Sequence, residues 1–466
     1  MAQAPTVALP KRLPLVTLPE NRGTDPLQDA RLVNCYSEKA ADDEHWIYKR
    51  AGTLRSSQPS GGAAAGNGMV NWLGDIYSIF GGTLYKNGTS VGSVNSTKTY
   101  RFSACLGATP KLQLGNSVKS YNYDAGAGLV EIIDADYPTD LVKGWCYLDG
   151  TTYVATVKAE VHGSDINDPV NWDALNYLTA QIEPDRGVFL AKQLVYAVLM
   201  KQWSTEIFYD AANATGSPLG PVQGAKVNFG CVTGDSVQSI DGILIWVCTN
   251  QSASTQVIMM EGLKVQIISN DPVERLLDTA DWTTTYSMQF KNIGHRFYIL
   301  TSVVSNITLA YDLDQKMWSQ WTDKDGNYWP YIAVTYDATT LRHQFQHKSD
   351  GYIYLANEAY YTDNGDTITA DVVTPNLDGG VYRRKQLNMM KFVADQTAGS
   401  TLQVRHNDSD YDPKKWSNFR TVDLSKKQPM LTNEGSFVRR AYQFRHQSAT
   451  AFRIKAVELQ MDIGTL

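Results

Sequence analysis

Two histidines, His343 and His347, are the first candidates for chemistry in this sequence because they lie four residues apart in RHQFQHKSD. On a helix, or along one face of a strand, both imidazoles can reach one metal ion, and Asp350 is nearby. No second ligand cluster accompanies them in the sequence, and the segment continues into DGYIYL, which is typical of a strand. We therefore interpret the pair as polar surface side chains and predict no metal site.

Three aspartates, Asp408, Asp410 and Asp412, resemble the start of a calcium-binding EF-hand loop. That loop needs Gly at its sixth position and a bidentate Glu at its twelfth, and Pro413 and Phe419 stand there instead. The phosphate-loop, HExxH and G-x-S-x-G patterns are absent from the sequence. The sequence therefore predicts no catalytic residue, no cofactor-binding residue and no cofactor.

Basic residues gather near the C-terminus, where they can contact phosphate groups without sequence specificity. If RRAYQFRH forms a strand, Arg439 and Arg445 lie on one face together with Ala441 and Gln443. A solvated or subunit-facing surface explains such side chains better than a DNA-binding one, because the net charge of residues 375–466 is only +6. The candidate residues for contact with another subunit or with DNA are Arg383, Arg384, Lys385, Arg439, Arg440 and Arg445.

The net charge of −6 is spread unevenly along the 466 residues. Residues 375–466 contain 15 Lys and Arg against 9 Asp and Glu, so the preceding 374 residues carry a net charge of −12. A mainly acidic body with a basic C-terminal piece predicts two domains with different neighbours.

The N-terminus and the cysteines both indicate where the protein is made. MAQAPTVALPKRLPLVTLPE is interrupted by four prolines and has no continuous apolar core, so it predicts neither a signal peptide nor a membrane span. The five cysteines are scattered and never in CxxC spacing, which favours a reduced protein made in the cytosol. We interpret residues 1–45 as an extended arm that becomes ordered on a neighbouring molecule.

Pairs of short apolar runs joined by polar or glycine turns recur along the chain, beginning with GDIYSIFGGTLYKNG at residues 74–88. Four of the five intervals between successive copies are 44 to 56 residues long, close to the ~40–50 residues of one four-stranded propeller blade. The first interval is 75 residues long, which predicts an insertion near residues 95–140. Stacked blades bury the apolar faces that a lone hairpin would leave in water.

The fold class predicted from these patterns is all-β. It consists of a β-propeller of about six blades over residues 46–365, a C-terminal β-sandwich domain over residues 366–466, and the extended N-terminal arm. The strongest helical segment, residues 271–281, predicts a short loop helix at most. A large β-sandwich, or several small all-β domains, would also produce recurring hairpins and remains the alternative.

Five segments in order along the chain resemble the packaged-DNA stabilisation proteins of short-tailed phages (podoviruses), also called tail accessory factors, tail nozzle or tail hub proteins. They are RLVNCYSEK (residues 31–39), FGGTLYKNGTSVGSV (80–94), WSTEIFYDAA (203–212), YDLDQKMWSQW (311–321) and the run of residues 402–464.

This resemblance implies a structural virion protein of the tail, made in the host cytoplasm, and not an enzyme. It implies a homohexameric ring below the portal and its head-to-tail adaptor ring, which closes the DNA channel and stabilises packaged DNA. The ring would support tail spikes or fibres and the tail needle or tip, and let genomic double-stranded DNA pass non-specifically at ejection, with no membrane insertion. An acidic body would repel DNA, so that the genome slides past it.

Two other functions stay open from the sequence. One is a propeller enzyme that degrades glycans, such as a tail depolymerase, although 48 acidic residues give too many possible carboxylate pairs for the sequence to identify one. The other is a monomeric propeller that binds a sugar or a receptor.

Overall fold

The computed structural model describes residues 11–15, 28–41, 44–213, 215–252, 254–292 and 294–464. Strands hold 53% of the residues and helices 3%, so the all-β prediction is confirmed. The chain forms two compact units, and the first is discontinuous: it comprises residues 1–54, 307–329 and 357–466. The second unit comprises residues 55–306 and 330–356.

The strands up to residue 210 are β1 (Lys11–Leu13), β2 (Arg31–Val33), β3 (Cys35–Lys39), β4 (His45–Lys49), β5 (Gly52–Ser57), β6 (Gly66–Trp72), β7 (Asp75–Phe80), β8 (Thr83–Lys86), β9 (Thr89–Ser93), β10 (Arg101–Cys105), β11 (Lys111–Gly115), β12 (Ser120–Asp124), β13 (Gly128–Glu131), β14 (Cys146–Leu148), β15 (Thr151–Ala155), β16 (Glu160–Asp165), β17 (Asp168–Thr179), β18 (Gly187–Gln193), β19 (Tyr196–Lys201) and β20 (Thr205–Asp210).

The strands that follow are β21 (Leu219–Pro221), β22 (Gln238–Ile240), β23 (Ile243–Cys248), β24 (Gln256–Glu261), β25 (Lys264–Ile267), β26 (Thr285–Asn292), β27 (His295–Ser302), β28 (Ile307–Asp312), β29 (Met317–Gln320), β30 (Tyr331–Asp337), β31 (Arg342–His347), β32 (Ile353–Asn357), β33 (Thr362–Asp363), β34 (Asp366–Thr367), β35 (Ala370–Val373), β36 (Lys385–Ala394), β37 (Thr401–Asn407), β38 (Arg420–Asp423), β39 (Met430–Thr432), β40 (Ser436–Phe437), β41 (Ala441–His446) and β42 (Arg453–Ile463). A short helix, α1 (Asp271–Asp278), lies within the segment predicted to be helical.

The second unit is the propeller. Five of its blades are complete four-stranded antiparallel meanders: β6–β9, β10–β13, β14–β17, β18–β21 and β22–β25. First strands pack side by side between most successive sheets, and side chains of β18–β20 share one core with side chains of β23 and β24. β30 packs against both β26 and β6, which closes the ring. The prediction of a propeller of about six blades is confirmed.

The opening hairpin shows why these residues turn where they do. Gly81 and Gly82 join β7 to β8 with φ of 54° and 84°. Positive φ favours glycine, because glycine has no Cβ atom to clash with the backbone. Asn87 and Gly88 make the next turn, and Asn87 Oδ1 accepts a hydrogen bond from the backbone of Ile76 at 2.8 Å. Two-residue turns with positive φ match the right-handed twist of the strands that they join.

Each blade is apolar on both faces because it packs between two neighbours. Along β19, Val198 and Met200 belong to the core shared with the following blade, whereas Ala197 and Leu199 belong to the core shared with the preceding one. Successive side chains of a strand point to opposite faces, so a continuous apolar run fills both cores. Full burial of such side chains contributes about 1.5–3 kcal/mol each.

Residues 101–131, inside the predicted insertion near residues 95–140, form the four-stranded meander β10–β13, of the same order as its neighbours. The turn between β11 and β12 contains no glycine. Instead, Asn116 Oδ1 accepts hydrogen bonds from the backbone of Val118 and Lys119, both at 3.0 Å, and Ser117 takes a φ of 65°. An Asx turn of this kind reverses the chain without glycine.

The first unit is a two-layer β structure. One sheet has the order β3-β4-β42-β36-β39, with β1 beside β42 and β40 beside β36; the other has the order β28-β29-β2-β35-β41-β37-β38. Side chains from both sheets meet in one core that includes Ile47, Val372, Phe392, Phe444 and Val457. Residues 366–466, predicted as a sandwich, therefore share their sheets with strands from the start of the chain.

Much of the segment predicted as an extended arm, residues 1–45, is part of this sandwich. β1 pairs with β42, β2 pairs with β35, and Leu13 is buried in the core. β1 and β2 were missed because each is short and pairs with residues more than 280 positions away. Residues 1–10, 16–27 and 42–43 of the arm lie outside the described residues. No helix in the described ranges has the length and apolar character needed to cross a membrane.

Candidate functional site

Two cavities lie along the axis of the propeller. The upper cavity, about 500 Å³, is lined at the C-terminal ends of β6, β26 and β30, and the lower cavity, about 790 Å³, at their N-terminal ends. The residues that line both are Asn67, Thr99, Asp235, Tyr286 and Ile332. These shared residues mark the point where the axis is closed.

A group of polar side chains, which we call the axial cluster, meets at this point. Its members come from separate sheets: Thr99 and Arg101 from the start of β10, Lys143 from the loop before β14, Asp235 from the 3₁₀ turn before β22, and Ser287 from β26. Thr233 caps that turn, because its side chain accepts a hydrogen bond from the backbone of Asp235. The turn thereby holds the Asp235 carboxylate on the axis.

Asp235 is the centre of the axial cluster. Lys143 Nζ donates to both of its carboxylate oxygens at 2.7 Å and to Thr99 Oγ1 at 2.6 Å, and Thr99 Oγ1 donates to Asp235 Oδ1 at 2.6 Å. Arg101 donates to the carbonyl oxygens of Gly234 and Asp235 at 2.9 and 3.2 Å. Ser287 Oγ donates to the Asp235 carbonyl at 2.7 Å. The axial cluster therefore ties together four sheets at the centre of the ring.

Burial and charge set the protonation of this group. Burial alone would raise the pKa of Asp235, but Lys143 and Arg101 outweigh it and hold that pKa below its ordinary value. Burial lowers the pKa of Lys143 and of Arg101, and Asp235 opposes that shift in both. Two cations share one carboxylate, so the axial cluster has an excess of positive charge.

The contacts of the axial cluster cross the axis of the propeller and obstruct it between the upper and the lower cavity.

A second group of buried charged side chains includes Glu206 of the segment WSTEIFYDAA. Lys201 Nζ lies 2.8 Å from Asp185 Oδ1 and 2.6 Å from Glu206 Oε1, and the three side chains are 0%, 2% and 3% exposed. Asp185 also accepts hydrogen bonds from the backbone of Trp203 and Ser204, at 2.7 and 3.0 Å. Sequence reasoning missed this group because its members belong to different strands and loops and follow no known motif.

The first unit contains a comparable group around Arg50, which is 2% exposed. Its guanidinium donates to both Asp363 oxygens, at 2.6 and 3.1 Å, and to Asn34 Oδ1 at 2.9 Å, and it lies over the rings of Trp321 and Trp329. Asn34 belongs to RLVNCYSEK and Trp321 to YDLDQKMWSQW, so two of the resembling segments meet here. In both segments these residues serve the fold, because they hold the buried charge of Arg50.

The predicted basic residues near position 384 have different environments. Arg383 and Arg384 are exposed, and Arg384 donates to Ser436 Oγ at 3.2 Å. Lys385 is 1% exposed, and its ammonium donates to the carbonyl oxygens of Val381, Arg383 and Val438 at 2.6–2.8 Å. Lys385 therefore holds a loop in place, and only the two arginines present their charge to solvent.

The other three predicted basic residues pair with carboxylates of the same unit. Arg440 makes a two-pronged contact with Asp408, at 2.6 and 2.8 Å, and Arg445 makes one with Asp371, at 2.9 and 2.8 Å. Arg439 pairs with Asp410. Two of the aspartates of the calcium-like stretch are thus partners of arginines. A role of these basic residues in subunit or DNA contact stays a prediction.

The two histidines lie on β31 and take part in packing. His347 Nδ1 accepts hydrogen bonds from the backbone of Ser349 and Asp350, at 3.2 and 3.1 Å. His343 packs against the rings of Phe290 and Tyr336, and burial lowers its pKa to about 4. In the ranges that the structure describes, no group of three or more His, Cys, Asp or Glu side chains is placed to hold a metal ion.

Charge counted by compact unit differs from charge counted along the sequence. The second unit contains 18 Lys and Arg against 24 Asp and Glu, a net charge of −6, and the first contains 24 of each. The basic C-terminal residues are thus balanced by acidic residues from the other segments of their unit. The acidic body is the propeller.

A family model described as bacteriophage P22 Gp10, β-propeller, matches residues 49–360 of the chain. No curated protein matches it. Among solved structures, a catalytically inactive virginiamycin B lyase from Staphylococcus aureus is similar at 8% identity and a TM-score of 0.43, covering 66% of this chain and 99% of that one. The computationally designed Ika8 protein is similar at 9% identity and a TM-score of 0.38, covering 65% and 98%.

Proposed function

The chain belongs to the bacteriophage P22 Gp10 β-propeller family, and we propose on that basis that it acts as a structural protein of the phage tail, within the virion. The match over residues 49–360 is the observation that carries this proposal, because it takes in every complete blade of the propeller. The buried charges described above support a load-bearing role, since they join strands and blades to one another. A stiff β body of this kind suits a tail component.

We further propose that copies of the chain form a closed ring, a hexamer, below the portal and its adaptor ring, and that this ring closes the DNA channel and stabilises packaged DNA. The axial cluster supports a ring, because the axis of one propeller is blocked and a channel for a duplex needs several copies. A head-to-tail ring needs two different faces on each subunit. Two units that differ in net charge, −6 and 0, can provide them.

The partners proposed for this ring are the adaptor, tail spikes or fibres, the tail needle or tip, and the genome. Contact with genomic DNA would be non-specific and weak. The propeller unit carries a net charge of −6, and like charge keeps a polyanion from adhering to a surface as it moves past. Arg383 and Arg384 are the exposed basic residues of the predicted set that can contact an acidic neighbour.

The test is to disrupt the gene in the phage that encodes this chain and to image the particles. We expect heads that package DNA and then lose it, with tails that are incomplete, and we expect the wild-type chain supplied in trans to restore both. A truncated chain that ends before the propeller is the matched control and should restore neither. Particles that keep their genomes and have complete tails without the chain would contradict the proposal. Loss of activity on a host polysaccharide, with intact tails, would favour a glycan-degrading propeller instead.

A further inference from the structure

The lower cavity of the propeller is strongly basic. Four cationic side chains line it, Lys98, Lys143, Arg186 and Lys348, and Asp235 is the one acidic residue among its described lining residues. Both Asp235 oxygens are already bound by Lys143. The other three cations have no carboxylate partner in the part of the chain that the structure describes.

The contacts of these three cations leave their charges available. Lys98 Nζ donates only to a neutral hydroxyl, Ser117 Oγ, at 3.3 Å. Lys348 is half-buried with its Nζ 5.1 Å from the centroid of the Tyr286 ring, and burial lowers its pKa with no opposing charge. Arg186 is exposed at the rim of the cavity. Lys98 is exposed like Arg186, so Lys348 is the partly buried cation without a counter-charge, and an anion from outside relieves the cost of burying it.

The position of this charge is unusual in the unit that contains it. The propeller unit has a net charge of −6, yet the walls of its lower cavity carry a net charge of +3 when all four cations and Asp235 are charged. A recess lined by one sign of charge focuses the electric field and raises the local concentration of ions of the other sign. Anions that the acidic outer surface repels are therefore drawn to this recess.

We propose that the lower cavity is a binding site for a phosphate group. Arg186 offers a planar fork that matches two oxygens of one phosphate, and Lys98 and Lys348, which line the same cavity from other segments of the chain, supply point charges. At about 790 Å³ the cavity has room for more than one phosphate ion. The phosphate can therefore be free in solution or the terminal group of a nucleic-acid strand. This proposal does not depend on the tail role.

The experiment measures binding of inorganic phosphate to the purified full-length protein by isothermal titration calorimetry, with ionic strength held constant by sodium chloride. We expect one saturable site. Replacing Arg186 by glutamine (Arg186→Gln) or Lys348 by glutamine (Lys348→Gln) should weaken the affinity about tenfold or more, because each removes a charge-assisted contact. Lys426→Gln, at an exposed position of the other unit, is the matched control and should leave the affinity unchanged.

A second arm separates the two sources of phosphate. A short oligonucleotide with a 5′ phosphate, and the same oligonucleotide with a 5′ hydroxyl, are tested as competitors of inorganic phosphate. Competition by the phosphorylated form alone assigns the site to a strand end, and competition by neither assigns it to free phosphate; both results support the site. Absence of saturable phosphate binding would overturn the proposal. Equal affinity in the wild-type protein and in both cavity variants, with wild-type thermal unfolding of Arg186→Gln as the folding check, would overturn it too.

Discussion

The two units of this chain differ in how far along the sequence their contacts reach. In the propeller each complete blade is made from one continuous segment, and Lys201 pairs with Glu206 only five residues away. In the sandwich, β4 pairs with β42 and Arg50 pairs with Asp363, 313 residues away. Local pairing leaves a repeating signal in the sequence, whereas long-range pairing leaves none. The units should also respond differently when a buried charge is removed.

The largest effect is expected for Lys201→Met in the propeller. Asp185 and Glu206 would remain buried without their cation, so the free energy of unfolding should fall by about 3–5 kcal/mol. Urea denaturation measures the change, and hydrogen exchange with mass spectrometry should show faster exchange in β18–β21 and not in the sandwich. Lys264→Met, on an exposed position of β25, is the control and should stay within about 0.5 kcal/mol of wild type. If the free energy of unfolding fell as little as in the control, the buried group of Lys201, Asp185 and Glu206 would not stabilise the fold.

A somewhat smaller effect is expected for Arg50→Met in the sandwich, about 2–4 kcal/mol, because the Asp363 side chain is 18% exposed and can be partly hydrated. The change should raise hydrogen exchange at Asn34, at Thr322 and in β33, where the side chain of Arg50 makes its contacts. Lys426→Met, exposed in the same unit, is the control. Faster exchange confined to the propeller would contradict the separation of the two units.

The lysine and arginines at positions 383–385 allow a matched pair of substitutions. Lys385→Gln should destabilise the chain by about 1.5–3 kcal/mol, because three carbonyl oxygens lose a charged donor. The double variant Arg383→Gln and Arg384→Gln should change the free energy of unfolding by less than about 0.5 kcal/mol, because both side chains are exposed. Urea denaturation measures both changes. Equal losses of unfolding free energy would show that the burial of Lys385 does not distinguish it from the two exposed arginines.

The smallest expected effect is the pH dependence that Asp235 contributes. Its pKa is lower in the folded chain than in the unfolded one, so its stabilisation is present above the unfolded pKa and is lost as pH falls through the folded pKa. Asp235→Asn should therefore lower stability at neutral pH and make the loss of stability below about pH 4 shallower than in wild type. Thermal unfolding across this range measures both slopes. Parallel slopes would mean that Asp235 is not ionised in the axial cluster.

Sequence patterns predicted the propeller because its turns use residues that carry a conformational signal. Gly81-Gly82 and Asn87-Gly88 need positive φ, and the alternation of apolar runs with polar or glycine turns repeats at blade length. The long first interval of 75 residues predicted an insertion, whereas the structure has the meander β10–β13 there, with an Asx turn at Asn116. The repeat of apolar pairs therefore predicted the other blades and missed this one.

The candidate site was beyond this kind of reasoning. Lys143 and Asp235 are 92 residues apart, and neither lies in a motif that selects the other. Arg440 and Arg445 were candidates from the sequence, and both pair with carboxylates. The partner of Arg440, Asp408, was noticed only for its likeness to a calcium loop, and the partner of Arg445, Asp371, was not noticed. Charge clusters in a sequence do not reveal which charges are neutralised after folding, because that depends on side chains brought together from distant strands.

The most direct test of the whole account is a reconstruction of the intact virion by electron cryo-microscopy at a resolution that traces this chain. The account predicts several copies in a closed ring around the DNA in the tail, with the side chains of Lys143 and Asp235 in contact on the axis of every propeller and DNA density only between copies. DNA density running through the axis of a single propeller, or a tail without this chain, would contradict it.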